Sequence, residues 1–161
     1  MRLILYFSAE NGTTAKIARD LADYLRGQRD DVSIVEIKPE IPYTKADLRY
    51  LNPLARCNKE KFTGKNVPVS EETMARITGD WEKYDTVFLG FPIWYGAAPN
   101  VINSFCEGLD WTGKKVFAFA TSKMSGIGKT AEKLRPFLKG AELVNAWRVQ
   151  SADELAQKIS V

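Results

Sequence analysis

Short apolar runs of the kind that form buried strands alternate along this sequence with longer stretches in which apolar residues recur at helical spacing. The apolar runs predict strands at residues 3–7, 32–37, 86–90, 116–120 and 143–149. The amphipathic stretches predict helices at 14–26, 71–77, 99–107, 127–138 and from 151 onward. Such alternation requires right-handed crossovers, so it predicts an α/β fold with a parallel sheet covered by helices on both faces.

Length and composition narrow the class of protein. With 161 residues, 45% of them hydrophobic and 27% charged, residues 1–161 are expected to form a single globular domain. The N-terminal apolar run ends at Phe7, and no run of about 18 apolar residues follows, so we expect a cytoplasmic protein without membrane insertion. The sequence has no histidine, which excludes a Ser-His-Asp triad and imidazole metal sites. Cys57 and Cys106 lack Cys-x-x-Cys spacing and are expected to be free thiols.

Positive charge is concentrated in residues 41–66, a segment that begins between the helix-breaking Pro39 and Pro42. Six basic and two acidic side chains give this segment a charge of +4, against +3 for the whole chain. The basic residues are Lys45, Arg49, Arg56, Lys59, Lys61 and Lys65. The aromatic residues do not interleave with them as in a nucleic-acid stacking platform, so we expect no nucleic-acid partner. We expect instead a solvated, irregular excursion over residues 41–70.

The loop after the first predicted strand has the composition of a phosphate site. Residues 8–14 read Ser-Ala-Glu-Asn-Gly-Thr-Thr and run into a helix, so hydroxyls, an amide and a glycine meet the N–H groups of a helix N-terminus. The loop has no Lys or Arg, which indicates a terminal phosphate held by neutral donors rather than a nucleoside triphosphate. An ordinary turn capped by Ser or Thr is the structural alternative.

Two further loops are expected at the same edge of the sheet, because doubly wound sheets bind ligands outside the carboxyl ends of their strands. The second loop, 91–99, carries Trp94 and Tyr95 between prolines, and one of these rings could lie against a flat heteroaromatic ligand. A core or interface position is the alternative for both rings. The third loop, 121–128, offers hydroxyl and N–H donors.

The third loop also contains two incomplete nucleotide-binding patterns. Residues 126–130 resemble the end of a Walker A loop, but Lys123 stands where the first glycine would be. The same residues begin a loose dinucleotide fingerprint, but no acidic residue follows at about 20 positions, and Arg148 is only a weak candidate for binding a 2′-phosphate. Neither pattern favours a triphosphate or a nicotinamide site.

Taken together, the three loops resemble those of the flavodoxin family, over most of the chain. The motifs are Tyr-Phe-Ser at 6–8, Phe-Pro-Ile-Trp-Tyr-Gly at 91–96 and Thr-Ser-x-x-Ser-Gly-x-Gly at 121–128. The resemblance implies a flavodoxin-like three-layer α/β/α sandwich, with a five-stranded parallel sheet of order 2-1-3-4-5, and it implies FMN as the cofactor. The first loop is one residue longer than is usual in the family.

The resemblance also implies which residues bind FMN. Those expected at the phosphate are Ser8, Glu10, Asn11, Gly12, Thr13 and Thr14. Of these, Glu10 is expected to contribute only its backbone, because its carboxylate would repel the phosphate. Those expected around the isoalloxazine ring are Pro92, Ile93, Trp94, Tyr95, Gly96, Thr121, Ser122, Ser125 and Gly126. Trp94 is expected to flank the ring, with the 41–66 excursion or aliphatic groups on its other face.

Family members divide into electron carriers that dock on redox proteins and enzymes that reduce quinones with a nicotinamide donor. The resemblance therefore implies electron transfer through FMN, to a redox partner protein or to a small acceptor such as a quinone. Dedicated carriers tend to be strongly acidic, whereas this chain carries +3, so an NAD(P)H-dependent FMN quinone reductase stays open as the alternative. A third class is a non-flavin binding module on the same fold, although a receiver would need carboxylates at strand ends that here read Tyr-Phe-Ser and Leu-Gly-Phe.

Overall fold

The computed structural model describes residues 1–9, 12–64 and 66–160. Five strands form one sheet in which every neighbouring pair is parallel, in the order β2-β1-β3-β4-β5. The strands are β1 (Arg2–Tyr6), β2 (Val32–Glu36), β3 (Thr86–Pro92), β4 (Lys115–Thr121) and β5 (Glu142–Arg148). The predicted fold class and strand order are confirmed, and every strand end lies within two residues of its predicted position.

Six α-helices are found in the described part of the chain. They are α1 (Thr13–Gly27), α2 (Arg56–Thr63), α3 (Glu71–Thr78), α4 (Asn100–Glu107), α5 (Thr130–Leu134) and α6 (Ala152–Ile159). Short 3-10 turns occupy Ala46–Leu48, Trp81–Lys83 and Arg135–Phe137. Among the described residues, no helix is long and apolar enough to cross a bilayer.

The sheet divides the core into two halves. Leu5 of β1 packs in a cluster with residues of α3, α4 and α5, whereas the adjacent Ile4 packs with residues of α1 and α6. Successive residues of a strand point to opposite faces of the sheet, so helices cover both faces. The arrangement is the predicted three-layer sandwich. Cys57 and Cys106 are both buried and are free thiols, as predicted.

Gly90 allows an aromatic ring to lie against β3 just before the strand delivers the second loop. A Cβ atom at position 90 would lie 2.2 Å from Cζ of Phe119 in β4, far inside contact distance. The Gly90 carbonyl also accepts the N–H of Phe7 at 3.0 Å, which holds the ends of β1 and β3 side by side. A glycine is therefore required here by packing rather than by backbone conformation.

The helix predicted over 127–138 is shorter than expected. It covers only Thr130–Leu134 and then tightens into the 3-10 turn Arg135–Phe137. Pro136 explains why the helix ends early, because proline has no N–H for the carbonyl four residues earlier and its ring clashes with that carbonyl. The residues before Thr130 stay in the third loop, which is therefore longer than predicted.

The prediction that residues 41–70 are irregular and solvated is wrong in part. Helix α2 lies within this segment, and its Cys57, Asn58 and Glu60 are buried. The Asn58 amide donates to the carbonyls of Tyr50 at 2.8 Å and Asn52 at 2.7 Å, so a polar side chain does the anchoring that an apolar residue usually does. An apolar periodicity could not have revealed this helix, since it has few apolar residues.

Candidate functional site

The three predicted loops leave neighbouring strands at one edge of the sheet and are joined there by hydrogen bonds. The N–H of Ile93, in the second loop, donates to the carbonyl of Thr121 at 2.8 Å. The hydroxyls of Thr14 and Thr121 are 2.8 Å apart, and both side chains are buried. The start of α1 is thus connected to the third loop, and the second loop lies beside it.

The first loop places the start of α1 at this edge. Gly12 precedes the helix with φ of 68°, a left-handed conformation that suits glycine, and its N–H donates to the Ala9 carbonyl at 3.0 Å. The Ser8 hydroxyl accepts the N–H of Ala15 at 3.1 Å and so caps the helix from outside. The first turn carries no acidic residue, and Thr13 is exposed. The positive end of the helix dipole therefore faces this edge without a carboxylate of its own first turn. Glu10 and Asn11 lie outside the described residues.

The second loop is a tight two-residue turn. The N–H of Trp94 donates to the Ala97 carbonyl at 2.9 Å, and the N–H of Ala97 returns to the Trp94 carbonyl at 3.1 Å. The two central residues, Tyr95 and Gly96, have φ of 54° and 72°, as in a type I′ turn. Glycine is suited to that conformation, whereas an aromatic residue is strained in it. The turn therefore presents Trp94 and Tyr95 in a fixed arrangement.

Trp94 belongs to a cluster of three rings that meet edge to face, which we call the aromatic cluster: Phe7, Tyr43 and Trp94. The centroid of the Trp94 ring lies 5.5 Å from that of Phe7 and 5.2 Å from that of Tyr43, with interplanar angles of 89° and 82°. Phe7 and Tyr43 are themselves 5.8 Å apart. These contacts, each worth about 0.5–1.5 kcal/mol beyond burial, restrict the rotation of the indole.

Tyr43 reaches this cluster because the basic excursion folds back over the second loop. Its hydroxyl donates to the buried carboxylate of Glu60, and Arg56 donates to the same carboxylate at 2.6 Å. The Arg56 guanidinium also lies 4.0 Å from the centroid of the Tyr43 ring. Burial, together with the hydrogen bond to Glu60, raises the pKa of Tyr43 far above its usual range. The carboxylate is compensated by a cation and a phenol, so α2 is held firmly to Tyr43.

Helix α2 also touches the second loop directly. The Asn100 amide, at the start of α4 directly after the second loop, donates to the Glu60 carbonyl at 3.0 Å. The Tyr95 hydroxyl lies 3.7 Å from Sγ of Cys57. Partial desolvation of its hydroxyl, with a further contribution from Cys57, raises the pKa of Tyr95 to about 12, although the residue is 40% exposed. The excursion is therefore part of the wall around the second loop, on the side of Trp94 and Tyr95.

The third loop presents backbone donors. The Ser122 hydroxyl donates to the carbonyl of Ser125 and accepts from Nε of Arg148 at 3.3 Å. Within the described part of the chain, the N–H groups of residues 123–126 have no protein acceptor. Ser125 and Gly126 are exposed. N–H groups without acceptors in an exposed loop are suited to the carbonyl oxygens and ring nitrogens of a heteroaromatic ligand.

The described site residues predicted from the sequence lie at this one edge. Thr14 and Thr121 differ from the expectation in one respect, since their hydroxyls are bonded to each other. The sequence reading missed Tyr43, Arg56 and Glu60, because no spacing pattern links residues 41–60 to the second loop. Arg148 was considered only for a 2′-phosphate, although its place at the end of a predicted strand was itself a signal.

The donor set fits the expected cofactor. Neutral hydroxyls and a helix start suit a phosphate, a fixed indole suits a flat ring, and N–H groups without acceptors suit the polar edge of a flavin. No described carboxylate is among the loop residues that provide these donors.

Comparisons with known proteins agree with this geometry. A family model described as Flavodoxin matches residues 1–158. A candidate flavoprotein from Bacteroides eggerthii, whose crystal structure is known, is 30% identical to this chain in sequence. The match covers 99% of this chain and 95% of the Bacteroides chain, with a TM-score of 0.84. Its counterpart from Bacteroides uniformis is 31% identical, with coverages of 99% and 97% and a TM-score of 0.85.

A flavoprotein from Lactobacillus acidophilus, solved in complex with FMN, has the same fold at 18% identity, with coverages of 99% and 98% and a TM-score of 0.69. No match was found among curated proteins. Because the family model spans residues 1–158 and the strand order is the one the family motifs predicted, the chain belongs to the flavodoxin family.

Proposed function

We propose that this chain binds FMN at the three loops and transfers electrons through it, as a cytoplasmic oxidoreductase. The observation that carries the proposal is the meeting, at one sheet edge, of the α1 start, the fixed Trp94 and the acceptor-free N–H groups of residues 123–126. Flavodoxin family membership supports FMN as the cofactor, and the FMN complex of the Lactobacillus acidophilus flavoprotein supports it further. The two buried, free cysteines suit a reducing compartment.

The phosphate of FMN would be held at the start of α1. Ser8, Gly12, Thr13 and Thr14 provide neutral donors in this proposal, joined by Asn11 and by the backbone of Glu10. Since the Thr14 hydroxyl is bonded to Thr121, Thr14 would contribute its N–H and fix the third loop with its side chain. A helix start stabilises a phosphate through N–H groups and its dipole, so no lysine is required.

The ring of FMN would lie between the second and third loops. Pro92, Ile93, Trp94, Tyr95 and Gly96 would form one wall, with the aromatic cluster behind Trp94. Thr121, Ser122, Ser125 and Gly126 would form the polar edge. The bound flavin supplies the electron chemistry, and the protein sets its affinity and exposure. Donors at the polar edge favour the more negative reduced form, so these residues would set the reduction potential.

The electron acceptor would be a redox partner protein or a small molecule such as a quinone. Lys59 and Lys61 on α2 are exposed, as is Arg49 before it. A basic surface beside the flavin steers acidic proteins or anionic acceptors toward it and repels basic ones.

The absorption spectrum of the purified protein tests the cofactor. We expect flavin bands in the visible region, release of FMN on heating, and uptake of one FMN per chain by the apo-protein. Colourless protein that takes up no FMN at micromolar concentration would show that the proposal is wrong.

The quinone reductase alternative makes a different kinetic prediction. A carrier should not be reduced rapidly by NADH or NADPH, whereas a reductase should lose its flavin absorbance within the time of a turnover and regain it when a quinone is added. Stopped-flow mixing under anaerobic conditions separates the two.

A further inference from the structure

Arg148 lies where it can act on the third loop. It is the last residue of β5 and pairs in register with Ala120, and the N–H of the following Val149 donates to the Ala120 carbonyl at 2.9 Å. The end of β5 is therefore alongside the end of β4, at the point where the third loop begins. Its side chain is half-buried.

The guanidinium group binds only neutral oxygens. It donates to the Ser122 carbonyl at 3.0 Å, to the Lys123 carbonyl at 3.4 Å and to the Ser122 hydroxyl at 3.3 Å. Among the described residues, no carboxylate forms an ion pair with Arg148. A positive charge without an ion-pair partner thus lies against the third loop.

The same contacts fix the direction of the loop donors. The C=O and N–H of a trans peptide point in opposite directions, and the described peptides are all trans. Because Arg148 holds the carbonyls of Ser122 and Lys123, the N–H groups of Lys123 and Met124 point away from the guanidinium. These are two of the N–H groups that have no protein acceptor in the described part of the chain.

We propose that Arg148 is a positioning residue for FMN: its forked hydrogen bonds orient the third-loop N–H groups toward the flavin, and its charge favours reduced over oxidised FMN. This inference rests on the proposed function. Two-electron reduction with uptake of one proton leaves the flavin ring one unit more negative, and a nearby cation favours that form. Two unit charges about 10 Å apart in a partly solvated site change a binding equilibrium by roughly fivefold.

Three variants separate the two roles. Arg148→Gln removes the charge and the fork, Arg148→Lys keeps the charge but not the fork, and Arg29→Gln removes one exposed charge from the loop between α1 and β2, at the opposite edge of the sheet. The affinity of each apo-protein for oxidised FMN is measured by flavin fluorescence, and the midpoint potential of each complex by reduction with dithionite against a reference dye. Urea unfolding of each apo-protein verifies that it is folded.

We expect both Arg148 variants to bind oxidised FMN more weakly than wild type, by about three- to tenfold, for loss of one or two hydrogen bonds. Only Arg148→Gln should lower the midpoint potential of the bound FMN. The dissociation constant of oxidised FMN divided by that of reduced FMN should fall about fivefold. At 29.6 mV per tenfold for a two-electron couple, this fall is about 20 mV. Arg29→Gln should match wild type in both measurements.

The inference is overturned if Arg148→Gln matches Arg29→Gln in affinity and potential, or if Arg148→Lys lowers the potential as far as Arg148→Gln. Its failure is distinguishable from failure of the proposed function. If wild-type apo-protein binds no FMN, both are wrong; if wild type binds FMN and the Arg148 variants behave as the control does, only the inference about Arg148 is wrong.

Discussion

The hydroxyl pair of Thr14 and Thr121 connects the start of α1 to the third loop, and its strength can be measured. The oxygens are 2.8 Å apart, and the side chains are 1% and 5% exposed. Valine keeps the shape of threonine but lacks the hydroxyl, so Thr14→Val or Thr121→Val alone leaves the other hydroxyl buried without this partner. A buried hydroxyl left in that state lowers the free energy of unfolding by about 1–3 kcal/mol.

The double variant gives the decisive value. When both hydroxyls are replaced, no polar group is left unsatisfied, so we expect a free energy of unfolding within about 1 kcal/mol of wild type. The coupling energy, which is the double loss minus the sum of the two single losses, would then be about 1–6 kcal/mol, opposite in sign to the single losses.

Urea unfolding of the four apo-proteins, followed by far-UV circular dichroism, measures all of these values. The reasoning is refuted if each single variant loses less than about 0.5 kcal/mol, or if the double variant loses the sum of the two single losses. Binding of FMN to the same proteins reports the functional consequence, since a third loop detached from α1 should bind the ligand more weakly in the single variants.

Three further substitutions test other parts of the site. Thr13→Asp should weaken FMN binding at least about tenfold in a fluorescence titration, because it adds an anion beside the phosphate, while Thr13→Ser should not; equal affinity of the two variants would contradict the phosphate position. Gly90→Ala should lower the free energy of unfolding by about 1–3 kcal/mol in urea, because the new Cβ overlaps the Phe119 ring. The pKa of Tyr95 is raised to about 12, chiefly by partial desolvation of its hydroxyl, so folded protein keeps this phenol protonated where unfolded protein, with a pKa of about 10, releases the proton. Stability should therefore fall between about pH 10 and pH 12, and Tyr95→Phe should fall less over that range; an identical pH dependence would contradict the assignment.

The sheet and most helices could be predicted because their residues are chosen by local rules. A buried parallel strand needs a continuous apolar run, and such runs stand out for the three central strands, β1, β3 and β4. The edge strands β2 and β5 mix polar with apolar residues and show a weaker pattern. The loops could be placed for the same reason, since the carboxyl ends of parallel strands meet at one edge. The early end of α5 could also have been predicted, because Pro136 lies within the helix predicted over 127–138.

The wall formed by the excursion could not be predicted by such rules. Tyr43, Arg56 and Glu60 come together through a partly buried ion pair and a hydrogen bond, and neither produces a periodic pattern in the sequence. Helix α2 is anchored by the amide of Asn58 rather than by an apolar stripe. Long-range contacts between polar side chains are specific to the folded geometry, so sequence patterning reveals them only when the partners are already known.

A comparison of FMN with riboflavin tests the phosphate site at the start of α1 most directly, because the two ligands differ only in the phosphate. Two hydrogen bonds to a charged phosphate, at about 1.5–3 kcal/mol each, correspond to an affinity difference of at least about 100-fold. Titration of the apo-protein with each ligand, followed by flavin fluorescence, should therefore give a dissociation constant for FMN lower by at least that factor. Equal affinities would contradict the account, because the neutral donors at the helix start would then hold nothing that riboflavin lacks.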